Sequence, residues 1–198
     1  MVLSKKEQIT NGALQAFALH GYNDTTMETI ADYAQVAKGT LYYHFKTKEE
    51  LFLYVNQKGV EMLIDSVTRA MKNTDKSIEE RMICVLDEHL QFFVENREFA
   101  LLMVSFSAGE LNRSELIRQF LAKYFAAMEQ FVTELKNEGC VDPSLDVTTL
   151  VSAVFGMIGF TALRKLYRGE ELQSAQSRHT LLTLCKSALQ PNNRTTKE

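Results

Sequence analysis

Apolar residues recur three and four apart through most of the chain, and no stretch keeps the strict alternation of a half-buried strand. A Ser4-Lys5-Lys6-Glu7 capping box opens a first helix that carries Ile9, Ala13 and Phe17 inward and stops at His20-Gly21. Thr25-Thr26-Met27-Glu28 is a second capping box with Thr25 as cap, and Ile30, Ala31 and Ala34 then form a face small enough for another helix to cross closely. Gln35-Val36-Ala37 makes a tight turn with Val36 as the plug, and Lys38 to Phe45 makes a third helix with Leu41 and Phe45 pointing inward together. Thr47-Lys48-Glu49-Glu50 is a further capping box, from which a long helix runs towards Asn73 with Leu51, Val55 and Met62 inward.

The pattern continues helical to near the end. Ile78, Met82, Val85, His89 and Phe92 mark one face of a helix ending near Glu95-Asn96, and Phe99 to Ala108 is a shorter apolar one. Asn112 caps the next, whose stripe of Leu116, Phe120, Tyr124, Ala127, Phe131 and Leu135 ends at Gly139. Val147 to Tyr167 is apolar nearly all round and so expects cover on more than one side, with Ser152, Gly156 and Gly159 permitting close approach. Ser174 to Leu189 forms the last helix. The reading is an all-α chain of about nine helices, three in a head over residues 1–47 and six in a body over 48–190, with a polar, disordered tail over 191–198.

Composition narrows the chemistry. Two prolines among 198 residues suit a helical chain, and 45% apolar with 24% charged residues is ordinary for a soluble domain. The net charge of −3 does not announce a nucleic-acid binder, but it is unevenly spread. Residues 1–48 hold five lysines against four carboxylates, while the remainder holds seventeen basic against twenty-one acidic groups. Any contact with a nucleic acid would therefore have to come from placed groups more than from a broad basic surface. Three well-separated cysteines, Cys84, Cys140 and Cys185, lack metal spacing and suit a reducing cytoplasm; no cofactor or metal is expected. No N-terminal signal region is visible, and no run is expected to reach the ~20 residues of a membrane span. Cys84 and His89, five apart on one helix, do not share a face, and no nucleophile elbow or phosphate loop appears, so an enzyme is not expected.

The positions left facing out on the third helix are Lys38, Thr40, Tyr42, Tyr43 and His44. They form a hydrogen-bonding, aromatic and cationic face that suits the groove and phosphates of DNA. Lys48 at the start of the next helix combines a cation with a helix N-terminus, an arrangement suited to a phosphate oxygen. The string Phe17, Gly21-Tyr22, Thr25-Thr26, Ile30-Ala31 and Lys38-Gly39-Thr40-Leu41-Tyr42 through Phe45 and Lys48 resembles the helix-turn-helix head of the tetracycline-repressor (TetR) family over the first quarter of the chain. Where that family has Ala-Gly-Val-Ser, this chain has Ala34-Gln35-Val36-Ala37. The turn lacks its glycine and the recognition helix its hydroxyl cap, each costing about 1 kcal/mol.

The resemblance implies a homodimeric regulator, most simply a repressor, on a palindromic DNA operator. It implies that Lys38, Gly39, Thr40 and Tyr43 face base edges and that Thr26, Tyr42, His44 and Lys48 hold phosphates, with Thr25 also among the DNA-binding residues. It also implies an effector pocket among the central helices, with His89, Phe92, Phe93, Met103, Phe106, Phe120, Tyr124, Met128 and Phe155 as candidate walls for a small lipophilic effector. Arg97, Arg118 and Arg164 are candidate anchors for a carboxylate or acyl group. The last two helices resemble the family's dimer interface. A TetR-like protein with no small effector, acting constitutively or through a protein partner, is the alternative.

Overall fold

The computed structural model describes residues 3–72, 75–105, 111–171 and 174–189, without the side chains of 78–79, 103–105, 111–120 and 188–189. These residues form nine helices: α1 (Lys5–Asp24), α2 (Met27–Ala34), α3 (Lys38–His44), α4 (Lys48–Met71), α5 (Ile78–Glu95), α6 (Arg97–Ser105), α7 (Leu111–Asn137), α8 (Val147–Arg168) and α9 (Ala175–Leu189). The expected tail over 191–198 lies outside the described residues. Two compact units emerge: Met1–Met62 with Asn96–Leu121, and Leu63–Glu95 with Ala122–Glu198. This division takes the first half of α4, together with α6, into the unit that holds the helix-turn-helix, whereas the sequence places a boundary at 47/48.

Several ends differ from expectation. Gly21 kinks α1 at φ 75° and ψ 171° rather than ending it, and the helix resumes to Asp24. Thr25, expected as the cap of α2, is fully buried, its hydroxyl donating to the Gly21 carbonyl at 2.6 Å with the Ala16 carbonyl 3.2 Å away. The cap is Thr26, whose hydroxyl accepts the Thr29 amide at 3.1 Å. Asn112 lies inside α7, which already begins at Leu111, and α6 covers Arg97–Ser105. Met62, expected inward, is half exposed.

The first unit is built on a close crossing. The Ala13, Ala16 and Phe17 side of α1 packs with Ile30, Ala31 and Ala34 of α2, and Gly12 sits where α1 passes Ala34. A Cβ on Gly12 would fall 2.4 Å from the Ala34 nitrogen, a backbone atom with no freedom to yield. Leu41 and Phe45 bring α3 onto the same core, with Leu51, Phe52 and Val55 of α4 and Leu102 of α6. Phe17 meets Phe52 edge-on at 5.0 Å and lies stacked on Tyr22 at 5.8 Å. The turn before α3 carries the strain the sequence foretells. Gln35 is left-handed at φ 51° and ψ 46°, and Ala37 offers α3 no side-chain cap.

In the second unit α8 begins at an Asp146 cap, which accepts the Thr149 amide at 2.8 Å, and it packs beside α5 and α9. A bidentate pair ties Arg178 of α9 to Asp87 of α5, both contacts 2.7 Å. One expectation is corrected here. α8 holds an 18-residue stretch of mean hydropathy 1.5, enough by length and composition to cross a bilayer, because its Thr, Ser and Gly residues dilute its apolar run without interrupting it. Only 22% of that stretch is buried within the chain, so the cover expected on several sides is not supplied by the described residues.

Gly12→Ala should lower thermal stability by about 1–3 kcal/mol, the usual cost of overpacking, whereas Gln35→Gly should raise it by up to about 1 kcal/mol by releasing the left-handed strain. Thermal unfolding of the two variants beside the wild type checks both signs.

Candidate nucleic-acid interface and effector cavity

The exposed face of α3 is assembled from both ends. Leu41 and Phe45 are buried at 0% and 2% exposure, which turns Lys38, Gly39, Tyr42 and Tyr43 outward and leaves Thr40 and His44 at the edge. Tyr43 is 77% exposed, and its ring stands edge-on to His44 at 5.2 Å. A Cβ on Gly39 would meet nothing within 4 Å. A glycine in a helix where the chain has room for a side chain costs up to about 1 kcal/mol without serving the fold, and it leaves the backbone open to a close approach from outside.

The charges around this face are not all as the sequence suggests. Lys38 is ion-paired with Glu28 of α2, which holds the Glu28 carboxyl below and the Lys38 ammonium above their ordinary ranges. The cationic end of this face thus has a carboxylate beside it. Lys46, absent from the sequence reading, is exposed beside the end of α3, its ammonium donating to the Tyr42 carbonyl at 2.9 Å. Thr26 is exposed, while Thr25 is buried and cannot reach a DNA backbone.

Lys48 also departs from its expected part. Its ammonium donates to the carbonyls of Tyr22 at 2.7 Å, Asn23 at 3.3 Å and Thr25 at 2.7 Å, and lies 4.3 Å over the Tyr22 ring. An ammonium has three N–H donors, and here each has a carbonyl. Since α1 has no basic residue in its last turn, Lys48 supplies from α4 the cation that the negative end of α1 attracts.

In the second unit a cavity of about 50 Å³ opens between α5, α7, α8 and α9. Of the expected walls, His89 and Met128 line it; Met82, Val85 and Phe131, expected only as buried stripe positions, line it too, with Leu86, Leu150, Val151 and Val154. Phe92 and Phe93 are buried but face each other edge-on at 5.8 Å outside it. Tyr124 and Phe155 pack together at 5.2 Å without lining it. Phe106 and the side chains of Met103, Phe120 and Arg118 lie outside the described residues, and Arg97 and Arg164 are exposed.

His89 is fully buried, its Nδ1 2.7 Å from the Val85 carbonyl and its Nε2 hydrogen-bonded to the Tyr124 hydroxyl. Because a carbonyl only accepts, Nδ1 carries the proton and Nε2 accepts from Tyr124. Burial pushes the imidazole down to about 4 and the Tyr124 hydroxyl upward. With both ring nitrogens satisfied, His89 offers the cavity only its apolar body, and the Cys185 thiol is the other weakly polar group in the wall. Among the described residues no cluster of three or more metal-ligating side chains occurs.

These features agree with comparisons to known proteins. Residues 9–55 match the family model for bacterial regulatory proteins of the tetR family, and residues 56–169 match the C-terminal region of YsiA-like proteins. The chain belongs to the TetR family and is a DNA-binding transcriptional regulator. It is 23% identical over 93% of its length, and 95% of the relative's, to the fatty acid metabolism regulator protein of Bacillus subtilis. Over 78% of its length and 72% of the relative's, it is 27% identical to the probable acrEF/envCD operon repressor of Escherichia coli. A solved structure from Clostridium perfringens, provisionally described as a fatty acid metabolism regulator, superposes with a TM-score of 0.83 at 29% identity, covering 91% of this chain and 97% of that one. The fold is also that of FadR from Bacillus subtilis solved with stearoyl-CoA, TM-score 0.80 at 23% identity over 92% and 98% of the two chains.

Two outcomes are expected. Lys48→Met should cost about 1.5–3 kcal/mol of stability, as for other hydrogen bonds to charged groups, and leave the salt dependence of DNA binding unchanged. His89 stays neutral when folded but binds a proton below pH ~6.5 when unfolded, so stability should fall as pH drops from 6.5 towards about 4, by about 2 kcal/mol at pH 5. His89→Gln should flatten that limb in thermal melts taken across pH 5–7.

Proposed function

We propose that the chain is a cytoplasmic homodimeric repressor that occupies a palindromic operator through α3 and leaves it on binding a long-chain acyl effector. In this reading residues 1–47 are the reader and 48–190 the effector-binding and dimerisation body. Lys38, Gly39, Thr40 and Tyr43 meet base edges, and Thr26, Tyr42, His44 and Lys46 meet phosphates. The observation that carries the DNA assignment is Gly39, a glycine the chain's own packing does not require, centred in an exposed polar and aromatic face.

Dimerisation is supported by α8 and α9. Phe160 and Tyr167 are 72% and 75% exposed, Leu184 is half exposed, and a Cβ on Gly156 or Gly159 would meet nothing within 4 Å. Such a face suits a second copy, which would set two recognition helices about one DNA turn, ~34 Å, apart.

The acyl class is supported by a cavity wall that is apolar apart from a satisfied imidazole and a thiol, and by the fatty-acid regulators and the stearoyl-CoA complex among the relatives. The cavity of about 50 Å³ is far below the roughly 300–1,000 Å³ of ligand sites, so an effector must open the body. A hundredfold loss of operator affinity requires the effector to prefer the opened, non-binding state by about 2.7 kcal/mol. The small cavity also favours a second reading, a repressor with no small effector.

Mobility shifts on DNA from upstream of the gene should show a saturable complex, weakened about tenfold or more by Gly39→Ala although that variant melts no lower than wild type. Hexadecanoyl-CoA should release the complex, and no release by any acyl ligand would favour the second reading. Phe160→Glu should sediment as a monomer and lose operator binding; an unchanged dimer would move the interface elsewhere.

A further inference from the structure

Arg81 opens the second turn of α5, one residue before Met82 of the cavity wall, and its side chain is only 14% exposed. The guanidinium carbon lies 6.0 Å from the ring centroid of Phe131, another wall residue. Its polar partners are few for five N–H donors. Nη1 reaches the Met71 carbonyl at 3.3 Å, Nη2 lies 3.7 Å from a half-exposed Glu138 carboxylate, and the buried Nε has no acceptor among the described residues. A buried cation with an unmade hydrogen bond is costly and is relieved by an oxygen acceptor brought to it. Nε is buried and Arg81 is not itself part of the cavity wall, so an oxygen reaches it through the interior as the cavity opens past Met82 and Phe131.

We infer that Arg81 receives the C1 oxygen of the effector, so that the apolar cavity takes the hydrocarbon tail and the guanidinium takes its oxygenated end. This rests on the acyl-effector reading above. Free fatty acids and acyl thioesters share that oxygen, and Arg is suited to it because its fork presents Nε–H and Nη–H side by side. Sequence inspection passes over Arg81 because it stands in a charged Glu-Glu-Arg run that looks like a solvated helix start.

The test is calorimetric titration of the full-length protein with two matched pairs: hexadecanoic acid against hexadecan-1-ol, and hexadecanoyl-CoA against S-hexadecyl-CoA, a thioether without the C1 oxygen. Wild type should prefer the member that bears the C1 carbonyl, the acid or the thioester, in at least one pair by about tenfold or more. The pair that discriminates identifies the source as free acid or thioester. Arg81→Gln should erase the preference while leaving the affinity for the poorer member within about threefold, and Arg81→Lys should keep part of it. Equal binding within both wild-type pairs would overturn the role of Arg81 and leave the acyl cavity standing, and this arm needs no variant to fold. Binding of none of the four would remove the acyl reading and this inference with it.

Discussion

The reader depends on one ammonium group. Lys48, reaching from the start of α4 to three carbonyls at the end of α1, closes a loop of more than twenty residues that contains the whole helix-turn-helix. The kink at Gly21 turns those carbonyls towards it, and the buried Thr25 hydroxyl holds the kink from inside. Every residue of the exposed α3 face is therefore carried between two anchored points, the Gly12 crossing of α1 with α2 and the Lys48 closure. Placement is what a nearly neutral head must rely on, since its net charge attracts DNA only weakly.

How far this was legible from the sequence depends on whether a feature is local. The Ser4 capping box, the inward Leu41 and Phe45, the left-handed Gln35 and the uncapped Ala37 follow from neighbours within one or two turns, and each stands as the pattern predicts. What escaped is decided by residues distant in sequence. In the Thr25-Thr26 pair either hydroxyl can cap α2, and only the carbonyls of Ala16 and Gly21 draw Thr25 inward. Lys48 had the spacing of a phosphate ligand until Tyr22, Asn23 and Thr25 came within its reach, and Glu28 meets Lys38 only because α2 and α3 cross.

The body illustrates the same limit for ligand sites. Aromatic and methionine positions were recognisable as interior, but which interior surface they line depends on helix rotation. Phe92, Phe93 and Tyr124 went to solid packing, while Val85, Leu150 and Val154 became wall. The mutual satisfaction of His89 and Tyr124 removes the two groups that a sequence reader would choose as polar contacts. Under the proposed acyl reading, part of the effector's binding energy goes into separating helices that already pack around this small, apolar cavity.

The brevity of α3 has a further consequence. Seven residues, no side-chain cap and a strained turn before it leave a helix far below the length that is stable alone, so its shape is borrowed from the core beneath Leu41 and Phe45. That dependence makes the exposed face report on its whole unit: a substitution that loosens the core under Leu41 or Phe45 blunts the reading of DNA without touching a single exposed residue.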